Sequence, residues 1–130
     1  MPETETNPVI HVCVTCNRPG EQAPLDARAG RRLHEAVLER ARATDAKVRV
    51  GQVECMAQCQ RGCTVAFSSC GKWSYLFGDL DPDIEGTADA ILACAEIHAA
   101  DPDGFIKLKS RPVQIRKGLL ARIPPLPLES

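Results

Sequence analysis

Aromatic residues are scarce in this chain: one Trp, one Tyr and three Phe, 4% of 130 residues. So thin a supply leaves no base-stacking surface of the kind that binds single-stranded nucleic acid. The net charge of −1 also lacks the basic excess of a nucleic-acid footprint. No run approaches the roughly 18 apolar residues of a membrane span. The opening MPETETNP is acidic and polar, without the basic and apolar regions of a secretory signal. No Ser-His-Asp set, phosphate-binding loop or carboxylate pair stands out. The expectation is a cytoplasmic protein that binds neither membrane nor nucleic acid and is not an enzyme.

What the chain has is cysteine: seven in all, an odd number that complete disulfide pairing would leave unmatched. In a reducing compartment, clustered cysteines hold metal or do redox chemistry more often than they pair. The clusters are HVCVTC, with Cys13 and Cys16, and VECMAQCQRGC, with Cys55, Cys59 and Cys63.

The length suits one domain, and no repeat is visible. Residues 1–8 read as a disordered lead, 9–110 as the domain and 111–130 as a Pro-rich extended tail. VIHVCV at 9–14 is β-branched and reads as a strand. NRPGEQAP is loop, and it delays the following helix by some ten residues, keeping a helix N-terminus away from the thiols. That helix runs over about 26–44, capped by Asp26, with Leu33, Val37 and Ala41 on one face. KVRVGQVE at 47–54 is a second strand. TVAFSS at 64–69 and KWSYLF at 72–77 form a hairpin about Cys70-Gly71. A second helix covers about 82–100, with Ile84, Ala88, Ile91, Leu92, Ala95 and His98 on one face.

The element order is βαβββα. A strand–helix–strand unit closes by a right-handed crossover, so its two strands run parallel and end at one sheet edge. Cys13 and Cys16 end the first strand, and Cys55 and Cys59 follow the second. Topology therefore gathers four thiols, fit for zinc or a 2Fe-2S cluster. The C-x3-C half suits a zinc knuckle less well than a C-x2-C would. Gly51 and Gly62 let backbone approach sulfur, and the peptide N–H groups of MAQCQRGC offer hydrogen bonds that tune a cluster. Two other readings stay open: a zinc- or cobalt-handling module, and a thiol–disulfide oxidoreductase using Cys13 and Cys16.

CMAQCQRGCTVAF, with CVTC upstream and GKWSYLFGDL and ARIPPLP downstream, resembles a Cys-rich bacterial family of unknown function described as predicted metal-binding proteins. The resemblance spans about residues 9–125. That family is similar to thioredoxin-like 2Fe-2S ferredoxins, whose second ligand pair is also a C-x3-C. The resemblance implies a thioredoxin-like α/β fold with a four-stranded mixed sheet and an electron carrier holding a 2Fe-2S cluster. Its ligands would be Cys13, Cys16, Cys55 and Cys59. Those ferredoxins space their first two ligands more widely than Cys13 and Cys16, which makes Cys63 the substitute ligand.

Other residues read more plainly. Cys70 lies in a turn, Cys94 packs on a helix face as a small hydrophobe, and His11 and His98 are satisfied packing residues. Trp73, Tyr75 and Phe77 alternate along one strand, so they share a face for core packing or for a homodimer. Residues 79–103 carry eight acids and no Lys or Arg, whereas 104–130 carry six basic residues and one acid. Charge runs are mostly solvated surface, yet the acidic stretch is the candidate docking face for a redox partner.

Overall fold

The computed structural model describes residues 8–125. Five strands form one mixed sheet: β1 (Val9–Cys13), β2 (Arg49–Val53), β3 (Val65–Ser68), β4 (Ser74–Phe77) and β5 (Leu119–Ile123). Their order across the sheet is β2-β1-β3-β4-β5. β1 and β2 run parallel, with Cys13 opposite Val53. Every other pairing is antiparallel. Two helices complete the fold, α1 (Ala29–Ala43) and α2 (Thr87–Ala100). Among the described residues, no helix is long and apolar enough to cross a membrane.

Strand alternation decides which face is covered. Ile10, Val12, Val65, Phe67, Tyr75 and Phe77 are buried, while the intervening His11, Ala66, Ser68, Ser74 and Leu76 are only half-buried. α1 packs against β1, β2 and α2 through Leu33, Val37 and Ala41, the stripe that the periodicity marks out. The rings of Phe67 and Phe77 meet edge-on at 5.7 Å, and Tyr75 stacks on Phe77 at 6.0 Å. Fully burying one such side chain contributes about 1.5–3 kcal/mol. The shared face of Tyr75 and Phe77 is therefore core.

Three expectations change. The sheet has five strands instead of four, because the Pro-rich segment after residue 111 supplies β5. After a short 3₁₀ turn, Val113–Ile115, the strand's register pairs Tyr75 with Arg122 and Leu76 with Ala121. Gly78 N–H donates to Gly118 O at 2.8 Å, and a Cβ on Gly118 would lie 2.5 Å from Gly78 O, so the two backbones meet where no side chain fits. The buried guanidinium of Arg111 anchors the returning chain. It donates to Ile106 O at 3.0 Å and Arg116 O at 3.3 Å and lies 5.4 Å over the Phe77 ring. Residues 126–130 of the expected tail lie outside the described residues.

The helices also start later than their patterns suggest. Asp26 does not cap α1; it sits exposed in a short 3₁₀ turn, Leu25–Ala27. α2 begins at Thr87, whose hydroxyl donates to Asp81 O at 2.8 Å, and Ile84 is left outside it and exposed. Of the expected disordered lead only Pro8 is described. It is buried, and its carbonyl accepts from Arg49 N–H at 3.0 Å.

Candidate metal centre

The parallel β1–β2 ladder determines what lies beside Cys13. Past Val53 the chain continues as Glu54-Cys55-Met56-Ala57, alongside the Val14-Thr15-Cys16 turn that follows β1. Val14 N–H donates to Val53 O at 2.9 Å, and the Thr15 hydroxyl donates to Glu54 O. On the other side, Cys13 N–H donates to Thr64 O at 3.2 Å. Three segments thus meet around one cysteine: the turn after β1, the loop after β2 and the entry to β3.

The Cys13 and Cys16 sulfurs lie 2.9 Å apart, both buried. Cys16 donates to Cys13, the Thr15 hydroxyl lies 3.7 Å from the Cys13 sulfur, and the nearby Thr15 and Met56 amides also favour the Cys13 thiolate. The Cys16 hydrogen bond, reinforced by these donors against the opposing effect of burial, brings the Cys13 thiol down to about 5. The same hydrogen bond, with burial, raises the Cys16 thiol, since Cys16 must keep its proton to donate it. Thr64 Oγ1 lies 3.7 Å from the Cys16 sulfur. Cys63, adjoining Thr64, is fully buried, and burial pushes its thiol up to about 12.

The loop NRPGEQAP returns to this site. Gly30 N–H, in the first turn of α1, donates to Cys16 O at 2.9 Å. The helix N-terminus therefore lies beside the cysteine turn, against the expectation that the intervening loop would remove it. Glu21 makes this possible: its Oε1 accepts from Ala29 N–H at 3.0 Å and Arg18 N–H at 3.3 Å. These backbone donors, with Ala29 first, hold the Glu21 carboxyl below its ordinary range. Two arginines hold the loop carbonyls: Arg28 donates to Thr15 O at 3.1 Å and Arg18 to Gly62 O at 2.8 Å.

Cys55 lies beyond β2 and is exposed, its sulfur accepting from Ala57 N–H at 3.3 Å. Cys59 begins a 3₁₀ turn, Cys59–Arg61, and its side chain lies outside the described residues. That turn is tied down by Arg61, whose guanidinium grips both carboxylate oxygens of Asp79. Among the described residues, no three His, Cys, Asp or Glu side chains are grouped to hold a metal ion. The structure therefore brings Cys13 and Cys16 together and carries the Cys55 loop to the same edge. The donor set itself is soft thiol, suited to zinc or iron–sulfur. A tetrahedral metal with sulfur bonds of about 2.3 Å spaces its sulfurs about 3.8 Å apart, so the Cys13–Cys16 pair would open by about 1 Å on ligation.

Of the remaining candidates, Cys70 is exposed in the hairpin turn and Cys94 is buried in α2, where burial pushes its thiol up to about 12. His11 Nε2 is 2.7 Å from Ser68 Oγ, and His98 Nε2 is 2.7 Å from Trp73 O. Sequence reasoning missed Thr15, Thr64, Glu21 and Gly30. Only Thr15, between two cysteines, carried a local signal.

A family model described as "Protein of unknown function (DUF1636)" matches residues 10–125. No curated protein matches the chain. Among solved structures, a thioredoxin-like [2Fe-2S] ferredoxin from Aquifex aeolicus is similar at a TM-score of 0.55 and 19% identity, covering 88% of this chain and 91% of that one. A second structure, of the wild-type thioredoxin-like [2Fe-2S] ferredoxin from the same organism, gives a TM-score of 0.52 at 17% identity, covering 88% and 96%. At such identities the likeness is one of fold: thioredoxin-like α/β with a mixed sheet.

Proposed function

The chain belongs to the DUF1636 family, and we propose that it is a 2Fe-2S electron-transfer protein whose cluster is held by Cys13, Cys16, Cys55 and Cys59. The observation that carries this reading is the pair of Cys13 and Cys16 sulfurs, 2.9 Å apart, at the sheet edge to which the parallel β1–β2 ladder brings the Cys55 loop. The fold likeness to ferredoxins, noted above, supports the same reading.

A bound 2Fe-2S cluster supplies a one-electron carrier at this edge. The chain's own residues do the rest. Cys13 would hold the cluster as a thiolate, which the Cys16 hydrogen bond favours. Cys16 would have to lose its proton to hold the cluster, and Thr64 Oγ1 stands 3.7 Å from its sulfur. Hydrogen bonds to sulfur and exclusion of solvent then set the potential. Cys63 is the substitute ligand, from the entry to β3. The reading makes the protein a carrier, with no reaction of its own.

A redox partner would dock on the acidic residues 79–103. Several of these acids already meet cations: Asp81 with Arg18, Asp83 with Arg32, Asp89 with Arg40 and Asp79 with Arg61. Glu85, Glu96 and Asp103 remain as exposed acids for docking.

Ligand variants test the assignment. Cys55→Ser and Cys59→Ser should each abolish the visible spectrum, whereas Cys94→Ser should keep it. A normal spectrum in Cys59→Ser would overturn the four-ligand set. Loss in Cys63→Ser with retention in Cys16→Ser would move one ligand to Cys63.

A further inference from the structure

We propose that Cys13 and Cys16 are also a peroxide-modification site: in the metal-free chain they close to an intramolecular disulfide. The geometry carries this, and it does not depend on which metal the centre takes. A disulfide has sulfurs about 2.03–2.05 Å apart, so this pair needs to close by only about 0.9 Å. The two cysteines are three residues apart in one turn that Val14, Thr15 and Gly30 hold by hydrogen bonds, so closure moves two side chains and little backbone. Metal ligation opens the same pair by a similar distance, so ligation and disulfide exclude one another.

Burial selects the oxidant. Cys13 and Cys16 are 1% and 3% exposed, which disfavours a bulky disulfide such as oxidised glutathione and leaves a two-heavy-atom peroxide as the fitting reagent. Peroxide transfers one oxygen to the Cys13 sulfur: the O–O bond breaks, an S–O bond forms, and one water leaves. Cys13 is then a sulfenic acid. The Cys16 sulfur, already aimed at Cys13, attacks it; the S–S bond forms, the S–O bond breaks, and the hydroxyl leaves with the Cys16 proton as a second water. Two thiols have given two electrons to one peroxide. Cys63 and Cys94, buried in the core, and Cys70, exposed in its turn, take no part.

The test uses the full chain, reduced and stripped of metal with a chelator, treated with hydrogen peroxide, quenched by alkylation and digested with trypsin. The fragment ending at Arg28 carries Cys13 and Cys16 and no other cysteine, because Arg18 precedes Pro19. That fragment should appear unalkylated and two hydrogens lighter. Held in place, the pair should close about tenfold faster than in guanidinium chloride. Cys70→Ser should leave the reaction unchanged. Cys16→Ser should halt it at the Cys13 sulfenic acid, trapped by dimedone. A link from this fragment to another, sulfinic acid on Cys13 in the wild type, no reaction, or equal rates in native and denatured chain would each overturn the proposal. None of these results depends on a cluster, so the proposed function stands or falls separately.

Discussion

A Cβ placed on Gly30 would lie 2.1 Å from the carbonyl oxygen of Cys13. The first turn of α1 is therefore pressed onto the end of β1, and only glycine permits the approach. Gly30→Ala must push helix and strand apart. Overpacking of this kind costs about 1–3 kcal/mol, and here it strikes the backbone that carries a thiol. The expected result is a lower melting temperature together with reduced metal content. A variant that melts and loads metal like the wild type would show that the contact is dispensable.

Glu21, and not Asp26, should be the residue that starts α1. Its carboxylate accepts from the Ala29 and Arg18 amides and pairs with Arg32 at 3.1 Å. Removing a cap of this type costs about 0.5–2 kcal/mol. Urea denaturation of Glu21→Ala should show a loss in that range, while Asp26→Ala should stay within about 0.5 kcal/mol, as an exposed substitution does. Equal effects from the two would contradict the placement.

Acid should destabilise the fold through its histidines. Burial lowers His98 from its ordinary value of 6.5, and it also lowers His34 and His11, aided by Arg31 and Arg49 respectively. A lowered value means that the unfolded chain binds the proton more readily. Stability is then complete above about 6.5 and declines as pH falls through the folded values. His98→Gln, judged by melting at pH 7.5 and 5.5, should start less stable and show a smaller drop between the two. An undiminished drop would remove His98 from the account.

The Cys13 thiol gives a second window of the opposite chemical kind. Its folded value of about 5 lies below the ordinary 9.0. Its contribution is fully present above about 9 and is lost as pH falls toward 5. Thiolate absorbance in the reduced, metal-free protein should therefore persist down to about pH 5 and should vanish near neutrality in Cys13→Ser. Titration of all thiols near 9 would contradict the hydrogen-bonded pair.

Much of this arrangement was readable from residue pattern. β-branched VIHVC and alternating RVGQV mark strands, Leu33, Val37 and Ala41 mark the covered helix face, and the crossover rule makes β1 and β2 parallel. The convergence of the two cysteine loops at one edge follows from that rule alone. β5 escaped notice because LLARI is a short edge strand between basic residues and two prolines, and its pairing depends on Gly78 and Gly118, far apart in sequence. The start of α1 was misplaced because its cap, Glu21, sits eight residues upstream in a loop. Long-range choices of this sort leave no periodic trace in the chain.

The central claim is met most directly by purifying the protein without oxygen and measuring its visible spectrum with its iron and acid-labile sulfide. The account predicts a red-brown protein with iron and sulfide each near about two per chain. A colourless protein carrying one zinc and no sulfide would contradict it.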